Sequence, residues 1–187
     1  MPMFTVSAGC VRKVGAFLLG AALFVAMAPV TVAIAAADTD ATPRVRSSHA
    51  YIRAMIIEAG LRSITFRKLV GAIEATNGIV YVEHGVCGHS ARACLNLNVT
   101  PAADYRILRV LVDSRQPDWD VMSSIGHELQ HALEVLSNES LTSAQTVYLY
   151  YSRVNPTGGD SFETSAAIKA GNSVRNEVAS FARKPRL

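Results

Sequence analysis

The sequence is short of charge, of cysteine and of long hydrophobic runs. Charged residues make up 18% of its 187 positions, and 18 basic against 15 acidic side chains leave a formal charge of +3. A balance that modest excludes a polybasic nucleic-acid binder. The chain has one long apolar stretch, which excludes a multi-span membrane protein. Its length suits one domain. No internal repeat is visible, and only the polar run 38–48 has a disordered composition.

The long apolar stretch lies at the N-terminus. Arg12 and Lys13 precede an apolar run from Val14 to Val32 that is interrupted only by Pro29. Ala33-Ile34-Ala35-Ala36-Ala37-Asp38 follows, with small residues suited to cleavage after Ala35 or Ala37. The pattern predicts a secretory signal peptide over 1–37. The alternative is an uncleaved anchor, which the Ala-rich end and the polar segment after it argue against. Cys10 precedes the apolar run, where acylation of the lipoprotein type does not occur. Removing 1–37 lowers the formal charge from +3 to +1, so charge names no partner. The expected product is secreted or periplasmic and keeps no membrane span.

Two cysteines remain after cleavage, Cys87 and Cys94. In an oxidising compartment such a pair predicts a disulfide closing a small loop. The competing reading is a metal site on Cys87, His89 and Cys94, but no second Cys/His cluster is nearby to complete four ligands.

Periodicity organises the rest. Residues 38–47 form a flexible lead-in to a single domain over 48–187. Helical spacing covers 48–61 and 64–76, with Asn77-Gly78 as a stop. Ile79–Val82, Cys94–Val99 and Tyr105–Val112 read as three strands, with 101–104 as a turn. Helical patterns then run over 119–137, 141–153 and 161–182, separated in part by the breaker at 155–159. This order predicts an α+β fold: a small antiparallel or mixed three-stranded sheet packed with helices.

Chemistry concentrates in Gly126-His127-Glu128-Leu129-Gln130-His131-Ala132, an H-E-x-x-H pattern. Residues four apart on a helix share a face, so His127 and His131 can bind one metal ion. Zinc suits such nitrogen donors, and a catalytic site leaves one position for water. Glu128 is placed to take that water's proton. Ile125, Leu129, Ala132, Leu133 and Leu136 fall on the opposite side of the helix, roughly 140–240° from His127 at 100° per residue. The histidines therefore face solvent or a second protein layer rather than the core.

A catalytic site of this kind needs a third protein ligand. Glu163 is the first candidate, in the opening turn of the last helix with Ser161 as its N-cap. Ala167, Ala170, Gly171 and Val174 share its face, and small residues there permit close helix approach. A merely dipole-complementing Glu163 is the alternative. Glu134 lies on the histidine face one turn further on, better placed to orient a ligand from behind than to reach the ion. His84 and His89, beside the cysteine loop, are weaker candidates.

At these residues the chain resembles the zincin metallopeptidases. Residues 126–132 look like the active-site helix of that clan, and a glutamate on a following helix is similar to the gluzincin branch. The metzincin pattern requires Gly and a third His where this chain has Glu134 and Ser137. The resemblance spans about residues 105–170. It implies one Zn2+ held by His127, His131 and Glu163, with Glu128 as general base and a peptide or protein as substrate. It also implies that the strand before the motif, Tyr105–Val112, pairs with an extended substrate. Tyr148, Tyr150, Tyr151 and Arg153 are then candidates to stabilise an oxyanion. A metal-binding protein without hydrolytic activity and a zincin-like interaction protein of the cell envelope are the other classes this pattern allows. Asn98-Val99-Thr100 and Asn138-Glu139-Ser140 match glycosylation sequons, which would matter in a eukaryotic source.

Overall fold

The computed structural model describes residues 42–154 and 162–182, all within one compact unit over 40–187. The expected signal peptide over 1–37, Ser161 and the breaker at 155–159 lie outside the described residues.

Four strands form one sheet in the order β1-β2-β4-β3: β1 (Val45–Arg46), β2 (Gly78–His84), β3 (Ala93–Ala102) and β4 (Tyr105–Val112). β1 and β4 run parallel to β2, and β3 is antiparallel to β4. Strand alternation explains the packing. Val80, Val82, Leu108, Val110 and Val112 are fully buried, and Val80↔Leu108 and Val82↔Val110 lie side by side in the register. Burying each such side chain stabilises the fold by roughly 1.5–3 kcal/mol.

The sheet corrects the expected three strands to four. Val45–Arg46 falls in the supposed flexible lead-in, yet Val45 is buried. The Arg44 carbonyl accepts from the Val80 N–H at 2.8 Å, and Arg44 Nη1 donates to the Thr76 carbonyl at 2.6 Å. β4 is also corrected as a docking edge. It lies between β2 and β3, so its ladder groups are already paired, and β3 is the edge strand on that side.

Five helices complete the unit: α1 (Ala50–Arg62), α2 (Ile64–Glu74), α3 (Asp118–Leu136), α4 (Ala144–Val154) and α5 (Ser165–Ala182). α3 is central and touches α1, α2, α5, β3 and β4. Its apolar stripe behaves as the wheel requires, with Ile125, Leu129, Ala132 and Leu136 all in the core. Its far end is secured by a buried arginine. Arg106 of β4 donates to the carbonyls of Val135, Leu136, Asn138 and Leu141, closing groups that a helix C-terminus leaves unsatisfied.

α5 is held at both ends. Glu177 accepts from Ser63 Oγ at 2.6 Å, Thr65 N at 3.0 Å and Thr65 Oγ1 at 2.7 Å, which binds α5 to the start of α2. At its beginning, Thr164 Oγ1 accepts from Ala167 N at 3.1 Å. Thr164 is thus the N-cap, and the helix starts at Ser165. Glu163 precedes the cap instead of sitting in the first turn. Between these anchors α5 lies close to α3. A Cβ on Gly126 would stand 2.7 Å from Val174 Cγ2. Among the described residues, no helix is long and apolar enough to cross a membrane.

Candidate metal centre

Close approach of α5 to α3 determines the site. His127, His131 and Glu163 each offer one ligand atom, and these atoms all lie within 4.8 Å of one another. His127 Nε2 stands 3.1 Å from Glu163 Oε2. The sequence places two imidazoles on one helix face, and the fold adds a carboxylate from the residue before α5. Two neutral imidazoles and a carboxylate suit a divalent transition-metal ion, so this group could hold one.

Each imidazole is fixed through its ring. His131 Nδ1 is 3.0 Å from Glu134 Oε2, which leaves Nε2 to face the group. The His127 ring hydrogen-bonds the backbone of Ala167. Such partners set the tautomer and orientation of ligand histidines. Glu134 is itself secured: Thr164 Oγ1 donates to its Oε1 at 2.7 Å, Gln130 Nε2 at 3.4 Å, and the Tyr151 hydroxyl to its Oε2 at 3.2 Å.

Electrostatics separates the four groups. Burial pushes the Glu128 carboxyl up to about 7, against the opposing effects of His131 and a hydrogen bond from the Leu95 backbone. Burial lowers His127, which favours the neutral, ligating form. Burial also pulls His131 down, but the Glu134 hydrogen bond and the charges of Glu128, Glu134 and Glu163 outweigh it and leave His131 raised. For Glu134 burial is again the largest influence, yet hydrogen bonds from His131, Thr164 and Gln130 hold its carboxyl below the ordinary range.

His127, Glu128 and Glu163 line a cavity of about 280 Å³, walled by Ala91, Arg92 and Ala93 and by Ile168 of α5. Ala91–Ala93 belong to the loop closed by the Cys87–Cys94 disulfide. The sulfurs are bonded to each other, which rules out the alternative metal site on Cys87, His89 and Cys94. The Asp113 N–H donates to the Arg92 carbonyl at 2.9 Å. Asp120 of α3 lies 3.6 Å from Arg92 and 3.0 Å from Arg175 of α5, joining the loop to both helices.

The remaining candidates lie elsewhere. Tyr151 is fully buried, and its hydroxyl is engaged with the His131 carbonyl at 3.1 Å and with Glu134, behind the ligand rather than in the cleft. Tyr150 packs edge-on to Tyr151, and Tyr148 is exposed beside Phe162. Neither these tyrosines nor the exposed Arg153 lines the cavity. His84 pairs with Ser114 Oγ at 2.8 Å, away from the cluster. The side chain of His89 lies outside the described residues. Sequence reasoning missed Thr164 and Leu95. Thr164 carries a signal, a capping residue directly after Glu163, but Leu95 acts through its backbone and leaves none.

Compared with family models, with curated proteins and with solved structures, the chain finds no match.

Proposed function

We propose that this chain is a secreted or periplasmic zinc-dependent hydrolase, a metallopeptidase of the gluzincin type. The observation that carries this is convergence. His127, His131 and Glu163 present ligand atoms within 4.8 Å of one another, with Glu128 beside them and an open cleft in front. The donor set fits Zn2+. When bound, the ion would acidify a water toward neutrality and polarise a substrate carbonyl.

The protein's own groups do the remaining work. Glu128, raised to about 7 by burial, is suited to accept a proton from water near neutral pH and to deliver it to the departing amine. Glu134 and the Ala167 backbone keep both imidazoles in register. β3 is a sheet edge, and its Leu95 backbone already reaches Glu128. An extended peptide adding to that edge would pass the ligands. The disulfide fits an oxidising compartment, as does the signal peptide expected at the N-terminus.

The deciding experiment is metal analysis and a peptide-hydrolysis screen of the purified protein and of Glu128→Gln. The parent should carry one zinc per chain and cleave peptides. The variant should keep the zinc and lose turnover by at least about 100-fold. Stoichiometric zinc with no hydrolysis would make it a non-catalytic metal protein. Absence of zinc would overturn the metal centre.

A further inference from the structure

We infer that Thr164 is a positioning residue of the metal centre, yoking Glu163 to His131 through Glu134. It has this role only if His127, His131 and Glu163 hold a metal, as proposed above.

One hydroxyl does two jobs. Thr164 Oγ1 accepts the Ala167 N–H at 3.1 Å, which starts α5, and donates to Glu134 Oε1 at 2.7 Å. Glu134 Oε2 then meets His131 Nδ1 at 3.0 Å. From Glu163 to His131 the path is therefore one peptide bond, one threonine side chain and one carboxylate. Thr164 is buried, so bulk water is poorly placed to replace either bond. As a β-branched residue it holds few χ1 rotamers, which keeps donor and acceptor aimed at once.

The same turn of α5 serves the other imidazole, because Ala167, whose N–H is capped by Thr164, hydrogen-bonds the His127 ring through its backbone. Both histidines and the carboxylate ligand thus take their positions from one helix start. A cap alone would require an acceptor at 164. The bond to Glu134 requires a donor as well, and serine and threonine supply both from a single atom.

Three substitutions separate the roles. Thr164→Val removes both bonds. Thr164→Asp keeps an acceptor for the Ala167 N–H but sets a like charge against Glu134. Thr164→Ser keeps both bonds. Zinc affinity is read by competition with a chromophoric chelator, cobalt geometry by its visible absorption, and folding by melting of the metal-free proteins. Thr164→Val and Thr164→Asp should each lose roughly 10–100-fold in zinc affinity and alter the cobalt spectrum, while Thr164→Ser stays near the parent. Thr164→Asp should melt, metal-free, below the parent, since two carboxylates then face each other in a buried site, and zinc affinity is compared at a temperature where every variant is folded. Combining Thr164→Val with Glu134→Gln should weaken zinc no further than the worse single variant, because both act on one chain of bonds. If Thr164→Val loses the fold, Thr164→Asp against Thr164→Ser carries the comparison. Parent-like zinc affinity in Thr164→Asp, or full additivity with Glu134→Gln, overturns the role. A parent that binds no zinc fails earlier, at the metal centre itself, and takes this role with it.

Discussion

Gly171 of α5 lies directly against α3 at His127. A Cβ at 171 would sit 3.1 Å from the His127 Cβ and 3.4 Å from the Ser123 carbonyl oxygen. Ser123 Oγ in turn donates to the Gly171 carbonyl at 3.0 Å. The two helices meet where neither has room for another carbon.

Gly171→Ala sets two effects against each other. Alanine favours a helix interior by about 1 kcal/mol over glycine. Overpacking costs about 1–3 kcal/mol, and here the contacts are a backbone oxygen and a Cβ, which yield poorly. Overpacking should win. Chemical denaturation of the metal-free variant should show a loss of about 1 kcal/mol, with zinc binding weakened in parallel. A variant more stable than the parent would contradict this.

Arg106 should be the most costly charged residue to replace outside the site. Arg106→Met takes a donor from the carbonyls of Val135, Leu136, Asn138 and Leu141 at the end of α3, of which Val135 and Asn138 keep a backbone N–H. The expected loss is about 3 kcal/mol, seen as a lower urea midpoint with unchanged slope. Arg106→Lys should recover little, since one ammonium cannot span the same acceptors. An Arg106→Met midpoint within experimental scatter of the parent would show the cap to be dispensable.

Glu128 gives the metal-free protein a pH signature. Its carboxyl rises from 4.5 to about 7 in the fold, so the fold favours the protonated form. That stabilisation is complete below about 4.5 and disappears as pH climbs through 7. Relative to Glu128→Gln, the chelated parent should therefore lose about 3 kcal/mol between pH 4.5 and 8. Urea titrations of both proteins across that range measure it. A gap that stays constant with pH would mean Glu128 is not buried as described.

Breaking the Cys87–Cys94 link should loosen one wall of the cleft without touching the ligands. For so short a loop the expected loss of stability is about 2.5 kcal/mol. Reduction, or Cys87→Ser with Cys94→Ser, should leave zinc content at the parent level while weakening peptide binding. Zinc lost on reduction would instead show that the closed loop is needed to hold the ligands in place.

The sequence discloses α3 well because helical spacing alone brings His127, Glu128 and His131 to one side and the apolar stripe to the other. β4 was legible to its last residue, since Ile107, Leu108, Val110, Leu111 and Val112 carry a dense apolar signal around Arg106 and Arg109. That same run, apolar on both faces, is what a central strand looks like, and the expectation of a docking edge overlooked it. Val45–Arg46 escaped notice because two residues have no period. Arg106 escaped because a charged residue in a strand reads as solvent-facing until the carbonyls beside it are known. The start of α5 was misplaced because Ser161 and Thr164 are equally good caps by composition, and the helix begins after Thr164, whose hydroxyl takes the Ala167 N–H.

Three of the site's groups, His127, Glu128 and His131, are carried on a single rod, α3, clamped at its end by Arg106. Thermal breathing cannot easily change the spacing among them. What it can change is one separation, the gap between that rod and the carboxylate delivered from α5. Capture and release of an ion would then be governed by how often a single helix start drifts outward, and the rate of metal exchange becomes a direct readout of that drift.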